Sequence, residues 1–137
     1  MRRIDMQLSS TFEELERAVK ELQSAIGDLE EDLGHRIVLL ASEAITNAME
    51  HGNNWQPERK ARLSLVVSEH KVELEVADEG QGIRVPRKEA DPLRSKNRLK
   101  DHGRGLMLMR EYADEVHVAD GARTLRLVFF RKSGPDG

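Results

Sequence analysis

The most informative segment of this chain is EAITNAMEHGNN, residues 43–54. Glu43 and Asn47 are four residues apart, a spacing that places both side chains on one face of a helix. The surrounding apolar residues recur at intervals of three and four, which predicts a helix with one buried face from about Leu33 to His51. Those residues are Ile37, Leu40, Ala41, Ala44, Ile45, Ala48 and Met49. Glu43 and Asn47 fall beside this apolar stripe, so we expect them half buried at its rim, with Gly52 ending the helix.

Two interpretations of this polar pair remain open on the segment alone. Polar residues four apart are common on helix surfaces, so the pair could be ordinary surface polarity. Alternatively, the Asn47 carbonyl oxygen could bind Mg²⁺ together with nucleotide phosphates and water, since Mg²⁺ takes few protein ligands and prefers oxygen. Glu43, one turn earlier, could then orient or deprotonate an attacking hydroxyl or water.

The flanking sequence predicts the elements that pack around this helix. Alternation in residues 3–8 indicates a first strand, and Ser10 or Thr11 with Glu13 or Glu14 forms a capping box that starts a helix ending at Gly27. The apolar stripe expected on that helix comprises Phe12, Leu15, Val19, Leu22 and Ile26. Two alternating strands follow as a hairpin, then a long irregular segment, a helix, and a final pair of strands.

This order of elements predicts the fold class. No strand–helix–strand unit of the doubly wound type repeats along the chain. We therefore expect an α+β two-layer sandwich, a mainly antiparallel mixed sheet with helices on one face. The final strand is predicted at TLRLVFF, residues 124–130, and the preceding one around Val116 and Val118.

Two glycine-containing motifs follow the predicted helix. DEGQGI, residues 78–83, ends the second hairpin strand, where an aspartate could accept a hydrogen bond from an exocyclic amine. HGRGL, residues 102–106, opens a helix whose free N–H groups suit phosphate. Between them, residues 84–101 show no periodicity and carry many basic side chains, and a loop this long in a compact domain is either functional or a sign of a wrong element assignment. Each glycine motif alone is also compatible with an ordinary turn or helix start.

Composition narrows the class of protein. The 137 residues suit one domain, and the formal net charge of −3 gives no support to direct nucleic-acid binding. There is no cysteine, which excludes disulfides and zinc–thiolate sites. The sequence predicts neither a membrane span nor a signal peptide.

Several other site types find little support. The chain has no P-loop and no dinucleotide-binding glycine motif. His51 has no second ligand at metal spacing, since His35 is sixteen residues away, and no nucleophile elbow exists for a Ser-His-Asp triad. Met107 and Met109 are expected to fill the core.

The three motifs together, in this order and spacing, resemble the N box and the two glycine boxes of the GHKL ATPase superfamily. This is the Bergerat, or histidine-kinase-like ATPase, fold of gyrase and histidine kinases. The length and the EAxTNA and HGRGL forms of the motifs are similar to those of the anti-sigma factor serine/threonine kinases of bacterial partner-switching systems. The resemblance covers roughly residues 4–131 and implies a single ATP-binding domain over residues 1–132, a lid at about 84–101 and a disordered tail at 133–137.

The resemblance also implies roles for individual residues. Glu43 matches the general base, Asn47 the Mg²⁺ ligand and Asp78 the residue that binds adenine. Arg123 stands before Thr124, where the family usually has glycine before its threonine. The residues that the resemblance assigns to the nucleotide are Asn47, Asp78, Gly80, Gly82, Ile83, His102, Gly103, Arg104, Gly105, Leu106 and Thr124.

The implied function is that of a cytoplasmic, ATP- and Mg²⁺-dependent protein kinase. It would phosphorylate an anti-anti-sigma factor with a STAS domain and hold a sigma factor inactive, as a homodimer and without direct contact to nucleic acid or membrane. One alternative is a binding module that switches partners by nucleotide state with little or no transfer. Another is an ATPase or histidine-kinase catalytic domain acting alone.

Overall fold

The core of the molecule is a sheet covered by helices on one side. The structure is a computed structural model that describes residues 1–80, 104–119 and 123–132. Its elements are β1 (Arg2–Ser9), α1 (Phe12–Ala25), α2 (Glu31–Asn47), β2 (Lys60–Val67), β3 (Lys71–Asp78), α3 (Arg104–Tyr112), β4 (Glu115–Ala119) and β5 (Thr124–Phe130). The strand order is β1-β2-β3-β5-β4, and the four pairings are all antiparallel. The α+β sandwich is thus confirmed, although the described sheet is antiparallel throughout rather than mixed.

Alternation along the strands separates a helix-facing side from a solvent-facing side. In β3, Val72, Leu74 and Val76 are buried, and Lys71 and Glu75 are exposed. The same alternation makes β2 and β5 bury every second residue, and these side chains pack against the helices. Asp78, the last residue of β3, has the parity of the buried set and therefore lies on the helix-facing side.

Helix α1 begins at the predicted cap. The Thr11 side chain accepts a hydrogen bond from the Glu14 backbone N–H at 3.2 Å, which satisfies one of the first N–H groups of the helix. Arg17 binds Glu14, and this hydrogen bond lowers the pKa of the Glu14 carboxyl. The predicted stripe is only partly buried: Leu22 is inaccessible, but Phe12 is 65% exposed. The structure differs at Phe12 because its ring stacks on Trp55 instead of entering the core.

Helix α2 confirms the predicted buried face and ends in an unusual way. All seven residues of the predicted apolar stripe are buried. The chain then continues from α2 into one turn of π-helix, Ala48–Gly52, which we call the π-turn. The Asn53 N–H donates to the Ala48 carbonyl at 2.8 Å, five residues back, which widens the helix at this end. Such π-turns are frequent at functional sites.

The remaining sequence predictions have mixed outcomes. Met109 is fully buried, as expected, but Met107 is 69% exposed and is therefore not a core residue. Its side chain therefore lies on the solvent-facing side of α3. The predicted lid at 84–101, the motif residues 81–103 and the tail at 133–137 lie outside the described residues.

Candidate functional site

The buried polar residues of the molecule gather at one end of α2. Among the residues that the structure describes, Ser10, Asn47, Asn53 and Asp78 are the buried polar or charged ones. Burying such groups costs free energy unless each is hydrogen-bonded, so natural proteins keep them where they serve a purpose. All four belong to the segments that meet at the C-terminal end of α2 and the π-turn.

Asn47 and Glu43 occupy the last turns of α2. Asn47 is 7% exposed and Glu43 is partly buried, as expected for side chains beside the apolar stripe. The neighbouring Ala44 and Ala48 are buried against the core, which holds this helix face close to the sheet. The carboxamide oxygen of Asn47 and the carboxylate of Glu43 are thus one helical turn apart at the edge of the core.

Asp78 packs directly against the π-turn. It is 4% exposed, and a Cβ at position 52 would lie 2.3 Å from its Cγ and 2.4 Å from its Oδ2. Glycine is therefore the one residue type that leaves room for this carboxylate. Its Oδ1 accepts a hydrogen bond from the Gly80 N–H at 2.9 Å. Sequence analysis assigned Gly52 only to ending the helix, because a contact between distant segments leaves no local pattern.

Gly80 makes an even closer approach. A Cβ at this position would lie 1.5 Å from the Gly52 carbonyl oxygen and 2.4 Å from the Gly52 carbonyl carbon. The backbone of Gly80, in the turn after β3, therefore packs directly against the backbone of Gly52 in the π-turn. The resemblance assigns Gly80 to the nucleotide, and the structure shows a close approach of Gly80 to the chain itself.

A second polar residue of the π-turn region, Asn53, was missed by sequence analysis. It is inaccessible, and its carboxamide bonds to Ser10, Arg59 and Glu79. Ser10 Oγ itself donates to the Arg59 carbonyl oxygen at 2.7 Å. The adjacent asparagines after His51 and Gly52 were visible, but nothing in the local sequence distinguishes the buried one from the exposed one.

The chain leaves the π-turn through two residues in the left-handed conformation. Asn54 and Trp55 have φ values of 53° and 52°. Asparagine adopts this conformation readily, whereas tryptophan pays a conformational cost of about 1–2 kcal/mol. Two contacts hold Trp55 there: its N–H donates to the Met49 carbonyl at 2.7 Å, and its ring stacks on Phe12 at 4.5 Å.

The structure does not bring Thr124 to the site face. Thr124 pairs with Ala77, and the buried residues Leu125, Leu127 and Phe129 of β5 face the helices. Alternation therefore directs Thr124 to the side of the sheet opposite to Asp78. Arg123 is the nearer backbone neighbour, because its carbonyl accepts the Asp78 N–H at 3.0 Å.

The other predicted site residues are less fully described. Gly82, Ile83, His102 and Gly103 lie outside the described residues. Arg104, Gly105 and Leu106 form the first turn of α3. In the described ranges, no three His, Asp or Glu side chains are grouped so that they could hold a metal ion. A search of the same ranges found no helix with the length and apolarity to span a membrane.

Comparison with known proteins gives consistent matches. Residues 8–129 match the family model described as histidine kinase-like ATPase domain. The anti-sigma F factor of Geobacillus stearothermophilus is 34% identical over 98 residues, covering 71% of this chain and 67% of that protein. The anti-sigma F factor of Geobacillus thermodenitrificans is 34% identical over 115 residues, covering 83% and 75%. The alignment with the Anoxybacillus flavithermus protein of that name spans 57% of its length.

A solved structure is similar over almost the whole chain. The chain of the RsbU and RsbW domains of Rv1364c from Mycobacterium tuberculosis superimposes with a TM-score of 0.64, covering 97% of this chain and 34% of that one. At 15% identity this match supports the fold alone. Because the family model and the relatives agree, this chain belongs to the histidine kinase-like ATPase domain family, among the GHKL anti-sigma factors.

Proposed function

We propose that this protein is an ATP-dependent serine/threonine kinase and anti-sigma factor. It phosphorylates an anti-anti-sigma partner with a STAS domain and sequesters a sigma factor. The observation that carries the proposal is the contact between the end of α2, which bears Glu43 and Asn47, and Asp78 at the end of β3. The helix that bears Glu43 and Asn47 ends in a turn that packs on Asp78, with a glycine at position 52 where any Cβ would clash.

Membership in an ATPase domain family implies ATP binding, and the buried residues suit that ligand. We assign Asp78 to the adenine amine, because a carboxylate offers only acceptors and the amine only donors. We assign Asn47 to Mg²⁺, since an amide oxygen at the rim of the core fits a metal whose other ligands are phosphate and water. Mg²⁺ at Asn47 would supply charge neutralisation to the phosphates. Thr124 is left out of this assignment because it faces the other side of the sheet.

Glu43 is the proposed catalytic base. In the transfer, a serine or threonine oxygen of the partner forms a bond to the γ-phosphorus of ATP. The bond from that phosphorus to the oxygen bridging to the β-phosphate breaks, ADP departs, and the hydroxyl proton passes to the Glu43 carboxylate. Phosphoryl transfer asks little of the protein beyond position and charge, so a base and a buried nucleotide site suffice.

The names of the relatives support the proposed partners. The relatives reported above are named anti-sigma F factors, and one of them aligns with 83% of this chain. This name supports a sigma factor and an anti-anti-sigma factor as the two partners. We further propose that the protein acts as a homodimer in the cytoplasm. The formal net charge of −3 supports a mode of action through protein partners rather than nucleic acid.

Single-turnover transfer of γ-labelled phosphate to the cognate STAS-domain partner tests this proposal. Glu43→Ala should lower the transfer rate about 100-fold, within the range of a positioned general base, while ATP affinity stays within a few-fold. Asn47→Ala should lose both. Glu50→Ala is the matched control, because Glu50 is an exposed carboxylate of the π-turn and should transfer at the wild-type rate.

The outcomes separate the candidate functions. If Glu43→Ala transfers phosphate as fast as the wild type, Glu43 is not the base. If the wild-type protein binds a partner and ATP but transfers no phosphate, the protein is a nucleotide-switched binding module instead.

A further inference from the structure

Both the nitrogen and the oxygen of the Asn53 carboxamide are hydrogen-bonded within the protein. The residue is 0% exposed. Its Nδ2 donates to Ser10 Oγ at 3.0 Å and to the Arg59 carbonyl oxygen at 3.4 Å, and its Oδ1 accepts from the Glu79 N–H at 3.0 Å. A carboxamide carries two donor hydrogens and an acceptor oxygen on one rigid plane, a set of bonds that neither leucine nor an ionised aspartate of similar size can make.

The three partners come from three separate segments. Ser10 follows β1, Arg59 precedes β2, and Glu79 follows β3. They are therefore far apart in the sequence, and Asn53 is the side chain that contacts all three, although Ser10 also bonds Arg59 directly. The Glu79 carboxylate adds a further link, because Glu79 Oε1 accepts from the Lys60 N–H. Asn53 thus ties the end of the π-turn to the turn that follows Asp78.

The bond to Glu79 acts on the residue before it. Glu79 lies between Asp78, whose carboxylate packs on Gly52, and Gly80, whose backbone lies on the Gly52 carbonyl. Gly80 N–H in turn bonds Asp78 Oδ1 at 2.9 Å. The Gly80 N–H therefore helps to orient the Asp78 carboxylate, and the Asn53 carboxamide, together with the Glu79–Lys60 bond, holds the backbone that carries this N–H.

We propose that Asn53 is a positioning residue for adenine selectivity: by fixing the Glu79 amide it places the Asp78 carboxylate to accept from the exocyclic amine of ATP. This inference rests on the proposed function, since it takes Asp78 as the adenine-binding residue. Asn53 does not touch the nucleotide itself. Buried polar networks of this kind define one conformation when every member is bonded, and lose that definition when one member is removed.

The test compares two triphosphates that differ only in the exocyclic amine, ATP and purine riboside triphosphate, by calorimetric titration. Asn53→Leu keeps the size of the side chain and removes its bonds. It should lower the preference for ATP over the purine analogue about tenfold, the effect expected from losing one hydrogen bond to a charged group. Asn54→Gly is the control, because Asn54 is exposed and glycine retains its φ of 53°.

A double-mutant comparison with Asp78→Asn distinguishes positioning from general support of the fold. If Asn53 acts through Asp78, Asn53→Leu should change ATP affinity little in the Asp78→Asn background. Equal losses of affinity for both nucleotides, or additive effects of the two substitutions, would overturn the proposal. If Asp78→Asn leaves the preference for ATP intact, the adenine contact in the proposed function fails instead.

A second variant keeps the test decisive if Asn53→Leu does not unfold cooperatively in urea. Ser10→Ala removes the hydroxyl that accepts from Asn53 and leaves Asn53 itself in place. It should shift the preference in the same direction by a smaller factor, about threefold. An unchanged preference in a folded Ser10→Ala protein would count against the inference.

Discussion

The two ends of helix α2 differ in how closely they are packed. At its C-terminal end, a Cβ on Gly52 would lie 2.3 Å from the Asp78 carboxyl carbon, and polar residues are buried. At its N-terminal end, a Cβ on Gly34 would meet its nearest atoms at 3.9 and 4.0 Å. An open groove of about 600 Å³ lies there between α1 and α2, with Ile26, Val38 and Leu39 among its lining residues. The C-terminal end of α2 is therefore closely packed against its neighbours, whereas the N-terminal end borders an open groove.

The two ends of α2 also differ in how far their charged and polar groups are exposed to solvent. Near the N-terminal end, Arg2 bonds to Asp28 at 2.9 Å and Arg36 to Asp32 at 3.1 Å, and the Asp28 and Asp32 side chains are largely exposed. The hydrogen bond from Arg2 lowers the pKa of Asp28, but solvent screens such a pair, so it has little influence on the fold. At the C-terminal end the polar groups are buried, where losing one partner is costly. Among the described residues, close packing and buried hydrogen bonds therefore occur together where α2 meets the end of β3.

Gly80→Ala should have the largest effect. Its Cβ would lie 1.5 Å from the Gly52 carbonyl oxygen, and both are main-chain positions that cannot rotate away. We expect the free energy of unfolding to fall by about 1–3 kcal/mol, as for other overpacked sites, and ATP affinity to fall more than tenfold (roughly 1.4 kcal/mol). Urea denaturation and titration with ATP measure the two quantities. Wild-type affinity in this variant would show that the crossing of the two turns is not needed for binding.

Gly52→Ala sharpens the comparison, because its clash is with a side chain. The three nearest atoms all belong to the Asp78 carboxylate, which can rotate. We therefore expect the free energy of unfolding to fall less than in Gly80→Ala, by about 1 kcal/mol for the disturbed hydrogen bond, whereas ATP affinity falls about tenfold as the adenine contact is lost. A fall in stability as large as that of Gly80→Ala, with affinity preserved, would reverse the assignment of Gly52 to the site.

These glycines also mark the limit of what the sequence predicts. Periodicity and capping residues predicted every described helix and strand, since those patterns arise within one element. The Thr11 cap and the buried stripe of α2 are examples. The Gly52–Asp78 contact and the Asn53 network arise between elements distant in sequence, so no local pattern reports them. The exposed positions of Phe12 and Met107 were predicted wrongly for the same reason, since helical spacing does not say where the partner surface ends.

Phe12→Ala tests the stacking that holds Trp55 after the π-turn, and it should lower the stability of the protein moderately. The ring of Phe12 is stacked on Trp55 at an interplanar angle of 28° and is otherwise 65% exposed. We expect the free energy of unfolding to fall by about 0.5–1.5 kcal/mol, the range for an aromatic pair. Trp55 is the single tryptophan of the chain, so its emission should shift to longer wavelength as the ring loses its cover.

Leu39→Ala is the matched variant at the middle of α2, away from the π-turn, because Leu39 is 43% exposed and lines the groove. It should leave the emission of Trp55 unchanged. An equal emission shift in both variants would mean that the tryptophan senses global loosening rather than the loss of its stacking partner.

Gly34→Ala should have the smallest effect, and the opposite sign. Gly34 lies in the first turn of α2, where its N–H already donates to the Glu30 carbonyl at 2.8 Å, so its backbone conformation is helical. An added methyl group would make ordinary contacts with Ile26 at the edge of the groove and displace nothing. Alanine also loses less backbone entropy on folding than glycine, so the free energy of unfolding should rise by about 0.5 kcal/mol, with ATP affinity unchanged. Urea denaturation beside Gly52→Ala and Gly80→Ala gives the comparison directly. A destabilised Gly34→Ala protein would show that the N-terminal end of α2 is as closely fitted as the C-terminal end, and the contrast between them would fail.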